Sequence, residues 1–207
     1  MHILIILAGL VPRSRSNLPS NSLFKNIIKP NNDGNTFDIV VSTSYTYYTT
    51  GKWCTPWESR DNKEELVDYI QKEYNEDGQL KEIYFHDMNK EIIKVWYKRA
   101  FFRLYQTFKE IDVDQYDMII FSRPDVQIDK SINLDDFING FYMVMGKPIR
   151  PENFHYRDWD YLWIGNVTAF KIWIYLHVYH AFDDKITNNL IDWSIDYEDV
   201  SREELDD

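Results

Sequence analysis

The run Phe121–Asp129, FSRPDVQID, follows directly on the apolar stretch YDMII and places an arginine, a proline and two acids just past it. Apolar strands that stop on polar residues deliver those residues to a sheet edge, where ligands of α/β proteins gather. Asp125 comes directly after Pro124, whose locked φ sets the direction of the chain. A carboxylate held in this way suits a hard divalent ion, Mn²⁺ or Mg²⁺, that takes its remaining oxygens from a substrate diphosphate and water. Asp129, four residues on, is the second candidate ligand. The same two acids also suit simple turn capping, a common use of Asp after Pro. Arg123 reads as holding the turn against a neighbouring carboxylate or as touching phosphate directly.

Two further polar clusters end apolar runs. HILIILAG leads into GLVPRSR, where Gly9 permits close backbone approach, Leu10 continues the turn, and Arg13 and Arg15 are able to pair with phosphate. This is neither a P-loop nor a dinucleotide fingerprint, since GKS/T and GxGxxG are both missing. As a bare signal, glycine with arginines is equally a turn with solvated side chains. TFDIVVSTS ends on Ser42 and Thr43, candidate contacts to a nucleotide. Asp158 and Asp160 flank Trp159 in HYRDWDYLW, where an acid would orient an acceptor hydroxyl, take its proton, or close a turn. His177 and His180 lie three apart in an aromatic run that suits burial as well as metal ligation.

The elements that must position these groups are legible as alternating patterns. Continuous β-rich runs at 2–9, 37–43 and 117–122 predict strands covered on both faces and central in the sheet. LKEIYFHD, GFYMVMGK and YLWIGN predict shorter strands, and NNDGN a turn. A short helix is expected toward Ile28, a second over DNKEELVDYIQKEYN capped by Asp61 or Asn62, and a last over VTAFKIWIYLHVYHAF. The strongest periodicity, Ile93, Tyr97, Ala100, Phe101, Leu104, Phe108 and Ile111, predicts a helix from about Asp87 to Ile111. YTYYTTGKWCTPWESR is aperiodic and is expected to be a loop able to close as a lid. The order implies an α/β fold: one domain with a mainly parallel central sheet flanked by helices, and an acidic tail from about residue 190.

Composition sets the remaining bounds. At 207 residues and 44% hydrophobic content the chain can bury one good-sized core. A net charge of −11 argues against a nucleic-acid partner, because phosphate backbones need clustered Lys and Arg. The 15 Tyr, 12 Phe and 7 Trp supply core volume and also flat faces for a sugar or nucleotide cleft. The single Cys54 precludes an internal disulfide, which suits a reducing, cytoplasmic compartment. MHILIILAGLVP lacks the basic start and small-residue cleavage site of a signal peptide and reads as a buried strand. No run approaches the roughly 20 apolar residues of a membrane span.

YDMIIFSRPDV, preceded by KVWYKRAFFRLYQTFKE, resembles GT-A-fold glycosyltransferases, in which YD, two apolar residues and RPD stand where better-known members carry Asp-x-Asp. LAGLVPRSRS, FDIVVSTS and RDWDYLWIGN are similar to segments of the same family, small viral members included, so the resemblance touches four places over residues 1–170. It implies a GT-A-like, Rossmann-like domain that moves a sugar from a nucleotide-diphosphate donor, a UDP-sugar, to a glycan acceptor. It also implies Mn²⁺ or Mg²⁺ at Asp125, host cytoplasm as the setting if the chain is viral, and a place within a longer multidomain protein as one option. The departure from the family is the single carboxylate of Ser122-Arg123-Pro124-Asp125, so the resemblance bears on fold more directly than on metal dependence. Two other readings stand beside it. A non-catalytic carbohydrate- or nucleotide-sugar-binding domain would use the same aromatic excess, and a metal-dependent phosphohydrolase would want more clustered acids than the chain shows.

Overall fold

The computed structural model describes residues 1–9, 11, 19–44, 46–49, 57–60, 62–86, 96–124, 126–143 and 162–181. Along the chain these form β1 (His2–Ala8), α1 (Pro19–Leu23), β2 (Thr36–Thr43), β3 (Thr46–Thr49), β4 (Trp57–Arg60), α2 (Lys63–Tyr74) and β5 (Leu80–Phe85). Then come α3 (Trp96–Glu110), β6 (Met118–Ser122), β7 (Phe141–Met143), β8 (Leu162–Asn166) and α4 (Val167–Ala181). A wider turn of π type over Phe24–Ile28 and a 3-10 turn over Lys29–Asn31 extend α1 into one continuous helical segment.

Six strands make the main sheet in the order β5-β2-β1-β6-β8-β7. The pairs β5–β2, β2–β1 and β1–β6 are parallel. β8 runs antiparallel to both of its neighbours. This is a mixed α/β fold with a mostly parallel sheet, compatible with a Rossmann-like arrangement. The three runs expected at the centre, β2, β1 and β6, occupy inner positions of the sheet.

Their continuous apolar character follows from cover on both faces. Ile3, Ile5 and Leu7 pack with Leu23, Ile27, Leu66 and Ile70, so the 19–31 segment and α2 cover one face. Leu4, Ile6 and Ala8 point the other way and meet Leu104, Phe108, Phe170 and Ile174 of α3 and α4. Each fully buried large aliphatic contributes about 1.5–3 kcal/mol by leaving water. α2 starts where Asn62 accepts hydrogen bonds from the Glu64 and Glu65 N–H groups at 3.0 and 3.3 Å, the expected cap. The NNDGN turn is closed by Gly34 at φ +75°, a left-handed conformation that a side chain resists.

One expectation needs correction. The YTYYTTGKWCTPWESR segment is not simply an aperiodic loop, because β3 and β4 pair antiparallel from Thr46↔Arg60 to Thr49↔Trp57. Thr, Tyr and Trp are strand formers. A two-stranded ribbon outside the main sheet has no need for the alternation that marks a half-buried strand. The aromatic helix is described from Trp96, and the turn to β6 begins at Ile111; residues 87–95, where an earlier start was expected, lie outside the described residues.

The edge of the sheet where β1 begins is closed by a polar cluster. The Asp38 carboxylate meets His2 Nε2 at 3.1 Å and Lys81 Nζ at 3.3 Å, and accepts from the Tyr116 hydroxyl at 3.0 Å. The Asp117 carboxylate accepts from the His2 N–H at 2.7 Å. β1, β2, β5 and the approach to β6 are thus pinned together at that edge.

Candidate functional site

β1 leads on one side to β2 and on the other to β6, so strand order reverses between β1 and β6. A crevice outside the carboxyl ends of strands at such a reversal is where open α/β sheets bind ligands. Gly9 and Ser122-Arg123-Pro124 stand at those two strand ends. The two chains approach so closely that a Cβ on Gly9 would lie 2.8 Å from Pro124 Cδ. Glycine is therefore required here by the proline of the RPD run, a close approach between two of the expected site segments.

Neighbouring hydrogen bonds fix both strand ends. Gly9 N–H donates to the Ser42 carbonyl at 3.0 Å, and Val11 N–H to Thr43 Oγ1 at 3.4 Å. The Ser42 hydroxyl is fully buried and has no hydrogen-bond partner among the described residues. An unsatisfied buried hydroxyl costs about 1–3 kcal/mol. The Arg123 carbonyl accepts from Val126 N–H at 3.2 Å and from the Ser122 hydroxyl at 3.3 Å, forming a tight turn. The Tyr74 hydroxyl, from the end of α2, donates to the Pro124 carbonyl at 3.4 Å. The Arg123 side chain is half-buried.

Four of the expected site residues are thus gathered at the switch: Gly9, Ser42, Thr43 and Arg123. Asp129 is exposed, in a stretch carried across the 19–31 segment. Leu10, Arg13, Arg15, Asp125, Asp158 and Asp160 lie outside the described residues. Leu162, the first described residue of β8, pairs with Ser122 at the end of β6. The side chains of His177 and His180 likewise lie outside the described residues.

No protein-family model matches the chain, and none of the curated proteins matches it. Among the described residues no helix is long and apolar enough to cross a membrane.

A second polar group beside the site was not foreseen. At the carboxyl end of β2 the Ser44 hydroxyl donates to the His86 carbonyl at 2.7 Å and accepts from Arg103 Nη2 at 3.1 Å. Thr107 Oγ1 lies 3.3 Å from His86 Nε2, and His86 N–H donates to the Thr43 carbonyl at 3.0 Å. Burial holds the His86 imidazole below its ordinary pKa; nearby Glu110 opposes this and Arg103 adds to it. The signal was Arg103 itself, at helical spacing among the apolar positions Ala100, Leu104 and Phe108.

Among the described residues no group of three or more His, Cys, Asp or Glu side chains could hold an ion.

Proposed function

We propose that the chain is a nucleotide-sugar-dependent glycosyltransferase of GT-A type, using a UDP-sugar and a glycan acceptor. The observation that supports this reading is the β1/β6 switch point, where Gly9 at the end of β1 and Pro124 after β6 approach closely. Ser42 and Thr43, at the end of β2, add hydroxyl groups on the same edge for the nucleoside.

In this reading the donor lies across the carboxyl ends of β2, β1 and β6. Arg13 and Arg15 pair with the diphosphate, as guanidinium forks do with phosphate oxygens. Asp125 holds the divalent ion, with Asp129 the weaker second ligand. When bound, the ion neutralises charge on the leaving diphosphate. Arg123 holds the turn that presents Asp125. Asp158 and Asp160 precede the strand paired to β6 and orient the acceptor hydroxyl or take its proton. Holding donor and acceptor in one geometry lowers the barrier by avoiding reorganisation in solution.

Thermal unfolding with UDP, GDP and free sugars, each with and without Mn²⁺, tests the reading. A rise in Tm with UDP that grows with Mn²⁺, followed by sugar transfer from a UDP-sugar, is the expected result. A rise with free sugar alone would instead support a binding module and remove the transferase reading.

A further inference from the structure

We propose that Asn26 and Asn31 are positioning residues that set the course of the chain leaving the RPD turn, and through it the metal-dependent part of nucleotide binding. The second half rests on the glycosyltransferase reading; the first stands on geometry alone.

Both asparagines are buried at 8% exposure in the helical segment that covers one face of the sheet. A buried amide has two donor hydrogens and a carbonyl oxygen to satisfy, and losing them without replacement is costly. Besides a local bond from Asn31 Nδ2 to the Ile27 carbonyl and one from the Ser131 hydroxyl to Asn26 Oδ1, the partners are main-chain groups of a segment roughly a hundred residues away in sequence. Asn26 Nδ2 donates to the Ile128 carbonyl at 2.5 Å, and the Asn26 main-chain carbonyl accepts from Ile132 N–H at 2.9 Å. Asn31 Nδ2 donates to the Ile132 carbonyl at 2.7 Å, and Asn31 Oδ1 accepts from Leu134 N–H at 2.9 Å. The Ser22 hydroxyl accepts from Ile128 N–H at 3.0 Å.

Residues 126–134 contain no strand or helix until a 3-10 turn starts at Leu134. Their backbone would lack an ordinary ladder, and the two amides stand in for one. The other end of the stretch is held by Val126 N–H on the Arg123 carbonyl and by Tyr74 on Pro124. Asp125 therefore sits in the chain between an anchored Pro124 and an anchored Ile128. The helical segment that does the anchoring also follows directly on the loop that carries Arg13 and Arg15. The tie shown by these bonds is to the stretch that leaves the RPD turn.

Asn26→Asp and Asn31→Asp keep the size and the acceptor oxygen but delete the donor hydrogens; Ser22→Ala is the mildest variant should either fail to fold. Amide hydrogen exchange of the full chain reads the clamp directly. The expected result is exchange at least about tenfold faster at Ile128, Ile132 and Leu134, with the β1 amides unchanged. Titration with UDP, with and without Mn²⁺, reads the consequence: the Mn²⁺-dependent gain in affinity falls by about tenfold or more while metal-free UDP binding persists. A purely structural role would lower both together. Exchange that is unchanged at 126–134, or that rises equally in β1, overturns the clamp. Faster local exchange with an intact Mn²⁺-dependent gain overturns the positioning role. An unsubstituted protein with no Mn²⁺-dependent UDP binding overturns the transferase reading and the metal half of this proposal, and leaves exchange to decide the clamp.

Discussion

At the residue scale the decisive contact is between Gly9 and Pro124. Adding one methyl at Gly9 places it 2.8 Å from the proline ring, and neither the ring nor the strand end has a flexible tail to yield. Gly9→Ala is therefore expected to cost about 1–3 kcal/mol, the usual penalty of overpacking. It should also weaken UDP binding by shifting the RPD turn, which urea unfolding and titration calorimetry will separate. Gly34→Ala makes a useful contrast. Nothing lies within 4 Å of its added methyl, so its cost comes only from φ +75°, about 1–2 kcal/mol, with nucleotide binding unaffected. Asp125→Asn keeps shape and removes charge. Unfolding is expected to stay near that of the unsubstituted protein while Mn²⁺-dependent UDP binding and transfer drop by orders of magnitude; full retention of Mn²⁺-dependent binding would make the acid a turn cap.

At the scale of elements, β2, β5 and α3 meet in the group around His86, and its chemistry predicts an acid limit. His86 is held below the ordinary 6.5, chiefly by burial, so the fold favours the neutral ring. Its contribution to stability is complete above about pH 6.5 and is lost as pH falls through the lowered folded value. Protonation would also set the imidazolium against the Arg103 guanidinium. Urea midpoints taken between pH 7.5 and pH 5 should fall, and His86→Gln should flatten that fall; an identical slope in both proteins would rule the histidine out. What was legible in the sequence at this scale divides cleanly by mechanism. β1, β2 and β6 announce themselves because burial on both faces demands uninterrupted apolar residues, and α2 because Asn62 and its acids sit at a helix start. The β3–β4 ribbon gave no periodic signal, since its pairing is not tied to the main sheet. Asn26 fell in the short helix expected toward Ile28 and Asn31 in the expected NNDGN turn, and neither pattern shows their partners, Ile128, Ile132 and Leu134, which are distant in sequence. A local hint existed: Leu23, Ile27 and Asn31 recur at spacing four, which puts Asn31 on the apolar face.

For the whole molecule, sheet order sets the hierarchy of stability. β1 is flanked by β2 and β6 and covered on both faces, so its amides are expected to open only with global unfolding. Hydrogen exchange is expected to be slowest in Ile3–Leu7 and Met118–Phe121 and faster in β7 at the sheet margin, where Tyr142 is exposed. Fast exchange in Ile119 and Ile120 relative to β7 would refute the assignment of β6 as a central strand. The candidate site was legible as three strand ends, yet which ends meet depends on the order of strands. No local pattern states that β6 rather than β5 lies beside β1, and that single adjacency is what brings the RPD turn to Gly9.

The placement of β8 bears on how the chain is made. By the time Ser122 leaves the ribosome, β5, β2, β1 and β6 are all available, and they form a contiguous parallel half-sheet. β7 is synthesised next but has no seat against β6, because the position beside β6 belongs to β8 and β7 joins the sheet only through it. The growing chain therefore passes through a period in which β6 presents an unpaired row of main-chain donors and acceptors, the kind of edge that recruits other chains. Arrival of Leu162–Asn166 caps that row and carries β7 in with it. The last described strand to be translated is the one that seals the edge of the strand bearing the RPD turn, so completion of the sheet and protection from association coincide in a single late event.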